Sequence, residues 1–143
     1  MSKERKLLKI ICFLYVLDAI ACLIFGGITL AGMGVLDASD VVTVGGIDFG
    51  LQAWALIFGI WGIVTGVFYL IFAGAGIRGA NTPRKIGPFR VMSLIAVIFA
   101  VIGMLLGVAL DGVGSETVMY VVSLVFAIAC FVLAGKIKEQ AER

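Results

Sequence analysis

The feature that most constrains this chain is an apolar stretch, residues 51–77, that contains no charged residue. As a helix, at about 1.5 Å per residue, it is longer than the ~30 Å hydrocarbon core of a bilayer. Three further apolar stretches fill most of the remaining sequence, and 62% of all residues are hydrophobic whereas 14% are charged. A chain of 143 residues cannot bury that much apolar surface in its own core. We therefore expect lipid to cover much of it.

The four apolar stretches predict four transmembrane helices, at about residues 7–36, 51–77, 89–110 and 117–135. The connections between them are two outer loops, 37–50 and 111–116, and one inner loop, 78–88. We expect a single all-α membrane domain over residues 1–143, in which two antiparallel hairpins form a left-handed four-helix bundle. Pro88 is predicted in the first turn of the third helix, where its missing N–H costs nothing.

The basic residues are sorted between the two sets of connections. Of the eleven Lys and Arg, four lie before the first stretch or within its first three residues, four lie in or beside the inner loop and three follow the last stretch. The only charged residues of the outer loops are acidic, namely Asp37, Asp40, Asp48, Asp111 and Glu116. Basic residues concentrate on the cytoplasmic side of membrane proteins. This pattern predicts that both termini and the inner loop lie in the cytoplasm, and the composition is typical of a bacterial cytoplasmic membrane protein.

The inner segment also offers a contact for lipid. Each Lys or Arg near an anionic membrane surface contributes about 1 kcal/mol to binding. The candidates for contact with anionic lipid headgroups are Arg78, Arg84, Lys85 and Arg90. The simpler interpretation is that these side chains set the orientation and attract lipid without specificity. The glycines nearby do not form a phosphate-binding Gly-x-x-x-x-Gly-Lys-Ser/Thr motif, so nucleotide binding is not predicted.

Small residues recur on each predicted helix at spacings of three and four, which places them on one helix face. In the first helix this stripe consists of Asp18, Cys22, Phe25, Thr29 and Gly32. The glycines predicted at the closest helix contacts are Gly59, Gly62, Gly66, Gly103 and Gly107. Such faces let membrane helices approach closely. They serve either contacts within one chain or contacts between copies in a homo-oligomer, and the sequence leaves both open.

Asp18 is the only charged residue in the interior of a predicted span, since Lys9 and Arg90 lie within the first three residues of theirs. Carboxylates within a span are functional candidates by default, and the same helix face carries Tyr15, Cys22 and Thr29. One interpretation is an ion- or proton-coupling site in a small transporter or channel. The other follows from the length of the first span. Asp18 lies about 13 Å along the helix from Lys9, so a shifted span would leave it near the cytoplasmic interface, paired with Arg78 or Arg90.

The outer loop 37–50 carries a β-hairpin pattern, with Gly45-Gly46 between β-branched residues. Two strands alone are marginally stable in water. A hairpin here would therefore lean on the helices or on a partner. Trp54, near the start of the second apolar stretch, suits the aromatic belt of a membrane interface.

The sequence contains few residues that could support catalysis. The chain has no His, and its three cysteines, Cys12, Cys22 and Cys130, lie in apolar stretches. This excludes Cys/His metal clusters and argues against a disulfide framework or redox thiol pair. We expect no enzyme, no cofactor, no metal and no nucleic-acid partner. The leading hypothesis is a non-enzymatic interaction, accessory or structural subunit, paired with a membrane protein or with its own copies. A transporter or channel that uses Asp18 is the alternative.

Overall fold

The structure, a computed structural model, describes residues 2–143, with only the backbone at residues 110 and 111. Its main elements are α1 (Lys3–Gly32), β1 (Val41–Val44), β2 (Ile47–Gly50), α2 (Leu51–Asn81), α3 (Gly87–Asp111) and α4 (Ser115–Glu142). Short 3-10 helices follow α1 at Met33–Val35 and precede α3 at Pro83–Lys85. The four α-helices are long and apolar enough to cross a membrane. This supports the prediction of an integral, multi-pass membrane protein.

Three helices extend past the predicted spans at their basic ends. α1 begins at Lys3, α2 continues to Asn81 and α4 continues to Glu142. Lys, Arg, Glu, Gln and Ala are all good helix formers. The change from apolar to polar sequence therefore marks the end of an apolar surface but not the end of a helix.

Both predicted loops next to α3 are shorter than expected. The inner loop of 78–88 is reduced to residues 82–86, most of which form the 3-10 helix Pro83–Lys85. Pro88 does lie in the first turn of α3, as predicted. The outer loop of 111–116 is reduced to residues 112–114. Gly112 ends α3 with a φ of 73°, a left-handed conformation that glycine adopts without steric cost.

The chain divides into two compact units. One consists of residues 2–14 and 72–143, and the other of residues 15–71. All eleven Lys and Arg belong to the first, which we call the basic unit. The second contains both β-strands, and we call it the hairpin unit.

The basic unit has a core of large side chains. Phe72 and Phe89 are fully buried, with ring centroids 4.8 Å apart, and α3 packs against α4. The other fully buried side chains of this core include Leu8, Cys12, Ile86, Ser93, Cys130 and Ile137. Burial of a large aliphatic or aromatic side chain stabilises a protein by roughly 1.5–3 kcal/mol. The hydroxyl of Ser93, the polar member, donates to the Phe89 carbonyl oxygen at 2.8 Å.

Arg5 connects the start of α1 to the end of α2 in the basic unit. Its Nε donates to the carbonyl oxygen of Ala80 at 2.5 Å, and its Nη2 donates to that of Asn81 at 2.8 Å. The last carbonyls of a helix have no partner within the helix and carry partial negative charge. Arg5 therefore caps α2 from outside, a role that the sequence did not indicate.

The hairpin unit is held by glycines where α1 meets α2. A Cβ built on Gly26 would lie 2.7 Å from the Gly59 carbonyl oxygen and 2.9 Å from the Ile63 nitrogen. A Cβ on Gly62 would lie 3.2 Å from both the Cys22 carbonyl oxygen and the Gly26 Cα. Here the two backbones approach so closely that a side chain has no room.

The face of α1 that contacts α2 is offset by about one residue from the predicted stripe. The stripe members Asp18, Phe25 and Gly32 are exposed, whereas the neighbouring Ala19 and Gly26 are buried. Successive residues of a helix are separated by about 100° around its axis. An offset of one residue therefore places the predicted stripe about 100° away from the face of α1 that contacts α2. On α2, by contrast, the predicted stripe is the buried face at Gly59, Gly62 and Gly66.

The predicted β-hairpin is confirmed. β1 and β2 pair antiparallel, from Val41 opposite Gly50 to Val44 opposite Ile47. Gly45 and Gly46 form the turn with φ values of 58° and 80°, the two positive values that a type I′ turn needs. Phe49 on β2 stacks on Trp54 of α2, with ring centroids 5.4 Å apart. The hairpin thus leans on the first turn of α2.

Candidate functional site

Asp18 lies in the hairpin unit, on an exposed part of α1. It is close enough to Cys22 on its own helix and to Tyr69 on α2 for electrostatic interaction with both. Tyr15 joins the group through an edge-on contact with Tyr69, with ring centroids 5.2 Å apart and planes inclined by 72°. One carboxyl, two phenols and a thiol therefore share one region of the α1–α2 pair.

Thr29 does not belong to this cluster. Its hydroxyl donates to the carbonyl oxygen of Phe25 at 2.8 Å, one turn earlier in the same helix. It is also eleven residues beyond Asp18, about 16 Å along the helix axis. Of the residues predicted around Asp18, the structure brings Tyr15 and Cys22 near it and leaves Thr29 apart.

Tyr69 is the member that sequence reasoning missed. One signal was present. Asp18 lies nine residues after Lys9 on α1, and Tyr69 lies nine residues before Arg78 on α2. Two antiparallel helices whose basic ends are level bring such positions to the same height.

The carboxylate of Asp18 has no hydrogen bond and no ion pair within residues 15–71. Arg78 and Arg90 belong to the basic unit, so the predicted pairing of Asp18 with one of them stays a prediction. Chemically, a carboxyl group in apolar surroundings can accept hydrogen bonds when charged and donate one when protonated. The cluster can therefore hold or release a proton, or accept a donor from outside the chain.

An apolar groove lies beside the cluster on the hairpin unit. Its volume is about 340 Å³. Its walls come from both helices, with Ala21, Cys22 and Phe25 on α1 and Phe58, Trp61, Gly62 and Thr65 on α2. Trp61 and Phe25 are 64% and 59% exposed. Cys22 belongs both to the groove and to the surroundings of Asp18, so the two features are continuous.

The predicted packing glycines differ in what they touch. Gly59, Gly62 and Gly66 all face α1, and a Cβ on Gly66 would lie 2.9 Å from the Ala19 carbonyl oxygen. On α3, a Cβ on Gly107 would lie 2.7 Å from the ring of Tyr120, whereas one on Gly103 would meet nothing within 4 Å.

The four bases predicted to contact lipid have different surroundings. Arg90 lies over the ring of Phe131, 5.4 Å from its centroid, a cation–π contact. Arg78 and Lys85 are exposed on α2 and on the 3-10 helix. Arg84 lines a pocket that also involves the end of α4.

Among the side chains that the structure describes, those of residues 2–109 and 112–143, no group of three or more His, Cys, Asp or Glu is placed to hold a metal ion. Comparisons of the chain with models of known protein families, with curated proteins and with solved structures found no match.

Proposed function

We propose that the helices cross the membrane as two antiparallel hairpins, α1–α2 and α3–α4, in a left-handed bundle with cytoplasmic termini. The absence of Lys and Arg from both outer connections supports this orientation. The glycine contacts of α1 with α2 and the packing of α3 on α4 support the pairing. Small residues at alternating spacings of three and four favour left-handed crossings.

We infer further that the protein is a non-enzymatic interaction or accessory subunit whose hairpin unit contacts a partner in the membrane. The observation that carries this proposal is the exposed Asp18 carboxylate, which has no hydrogen bond or ion pair within its own unit. A carboxylate at the centre of a membrane helix costs about 2.5–3.5 kcal/mol. A hydrogen-bond donor or cation on a partner helix offsets part of that cost.

The partner that fits is a membrane helix with a polar or basic side chain opposite Asp18 and a bulky apolar side chain for the groove. The groove supports this because its floor includes Gly62 and its rim carries Phe25 and Trp61. A different membrane protein and a second copy of this chain both meet these requirements. Identification of the cross-linked species decides between them.

Site-specific photo-cross-linking in native membranes tests the proposal. A photoreactive residue at position 25, exposed beside the groove, should form protein adducts that decrease strongly in the Asp18→Asn variant. The same probe at position 99 is the control, because Phe99 is 62% exposed on α3. Adducts that form equally at both positions, or that ignore the Asp18→Asn change, would overturn the proposed contact.

Proton- or ion-coupled transport is the second candidate, and the grouping of Asp18 with Tyr69, Tyr15 and Cys22 favours it. Intramembrane carboxylates recur in proton relays. Proteoliposomes with an imposed pH gradient and an internal pH dye provide the test. Proton flux that is lost in Asp18→Asn and reduced in Tyr69→Phe supports coupling. Flux no greater than that of empty liposomes removes this candidate.

A further inference from the structure

A second pocket lies in the basic unit, between the 3-10 helix Pro83–Lys85 and the last two turns of α4. It has a volume of about 200 Å³, more than ten times the ~10–15 Å³ that one water needs. Its lining residues are Pro83, Arg84, Ile86, Gly87, Lys138, Ala141 and Glu142. The pocket thus combines a small apolar surface with two cations and one carboxylate.

The charges of this pocket are not fully matched. Lys138 Nζ lies 3.7 Å from Glu142 Oε1, and both side chains are largely exposed, at 46% and 66%. Arg84 forms no ion pair in the part of the chain that the structure describes, residues 2–143. Three charged side chains therefore leave one net positive charge, carried by a guanidinium, the group that best matches phosphate oxygens.

The backbone at the pocket also favours an anion. α3 begins at Gly87 without a side-chain cap, and a Cβ built on Gly87 would meet nothing within 4 Å. The first N–H groups of a helix carry partial positive charge, and at the start of α3 Gly87 supplies one whereas Pro88 has no N–H. A ligand of negative charge in the pocket would therefore lie near Arg84, Lys138 and the start of α3.

We propose that this pocket binds a phosphate ester, with Arg84 and Lys138 as its ligands and Glu142 as its internal competitor. In the free protein Glu142 forms an ion pair with Lys138. When the phosphate binds, it replaces Glu142 as the partner of Lys138. The proposal goes beyond the role of Asp18 and does not depend on it. Two sources offer the same chemistry, the headgroup of an anionic phospholipid and a soluble phosphate ester.

Four single variants test the pocket in the full chain, purified in a neutral detergent. The probes are short-chain phosphatidylglycerol and glycerol phosphate, each titrated and followed by native mass spectrometry. Arg84→Gln and Lys138→Gln should each weaken binding about five-fold, since one base contributes about 1 kcal/mol. Glu142→Gln should tighten binding because the competitor is gone. Lys136→Gln is the matched control, with the same charge change as Lys138→Gln at an exposed position of α4 that does not line the pocket.

The opposite signs expected for Arg84→Gln and Glu142→Gln separate a pocket effect from a general loss of structure. Binding of either probe with this pattern supports the proposal, and the probe that binds better identifies the source. The proposal is overturned if neither probe binds saturably. It is also overturned if Lys136→Gln weakens binding as much as Lys138→Gln, since net charge alone would then explain the effect.

Discussion

The basic unit and the hairpin unit are stabilised in different ways. Of the buried hydrophobic side chains among the described residues, all but Ala19 and Ala55 belong to the basic unit. The hairpin unit replaces side-chain packing with close backbone contact at glycines such as Gly26 and Gly62. The basic unit contains its own core. The hairpin unit buries little and exposes a carboxylate and a groove, which is why we assign the partner contact to it.

The largest expected effect is the loss of the basic unit's core. Phe89→Ala removes a fully buried ring that contacts Phe72, and truncations of this kind cost about 3–5 kcal/mol. Thermal unfolding in detergent, followed by circular dichroism, measures the loss. Phe99→Ala on the same helix is the control, because its ring is 62% exposed. Equal losses in both variants would show that this core does not stabilise the unit.

A smaller loss is expected when a side chain enters the glycine contact of the hairpin unit. Gly26→Ala places a methyl group against backbone atoms of Gly59 and Ile63, and overpacking of this kind costs about 1–3 kcal/mol. Gly27→Ala is a closely matched control, since its Cβ meets nothing within 4 Å and alanine favours helix by up to ~1 kcal/mol. Unfolding of both variants should give shifts of opposite sign. A neutral Gly26→Ala would contradict the close contact.

The cap on α2 should contribute about 1 kcal/mol, the typical net value of one or two partly exposed hydrogen bonds. Arg5→Gln removes the guanidinium bonds to the Ala80 and Asn81 carbonyls. Lys6→Gln makes the same charge change one residue later, at an exposed side chain, and should have a smaller effect. Hydrogen exchange at the last turn of α2 provides a local measurement. If both variants exchange alike, charge rather than capping is responsible.

The smallest effect concerns the connection before β1. The Asp37 carboxylate accepts hydrogen bonds from the Ser39 backbone N–H at 3.0 Å and from the Ser39 hydroxyl at 2.9 Å. These two bonds, the backbone one more than the hydroxyl one, hold the pKa of the Asp37 carboxyl below its usual value. A lowered folded-state pKa stabilises this turn above the ordinary Asp pKa, and that contribution is lost as pH falls through the lowered value. An NMR titration of Asp37 measures the pKa, and Ser39→Ala should raise it toward the ordinary value. An unchanged pKa in that variant would contradict the assignment to Ser39.

Much of the fold could be predicted because it follows from long, local patterns. Long apolar stretches predict the four helices, Gly45-Gly46 predicts the type I′ turn, and Pro88 predicts the start of α3. The helix ends at Lys3, Asn81 and Glu142 could not be predicted from hydropathy, because charged residues form helix as readily as apolar ones. At the end of α2, the hydrogen bonds from Arg5 to the Ala80 and Asn81 carbonyls stabilise the last turn.

The candidate site was predicted in part. Asp18 is conspicuous as a charge inside a span, but the face of α1 that contacts α2 was not decidable from sequence. Two stripes with similar spacing run along this helix, one through Asp18 and Phe25 and one through Ala19 and Gly26. Both contain small residues, and only the position of α2 selects between them. Tyr69 could not be predicted beside Asp18 for the same reason, because its position there depends on how α1 and α2 are aligned.

The central claim is that the hairpin unit is completed by a partner that recognises Asp18. Native mass spectrometry of the protein released gently from its own membrane tests this claim most directly, for the wild type and for Asp18→Asn. The account predicts wild-type complexes heavier than the 15.1 kDa chain, with a clear shift to the single chain in the variant. A wild type found only at 15.1 kDa, or complexes unchanged by Asp18→Asn, would contradict it.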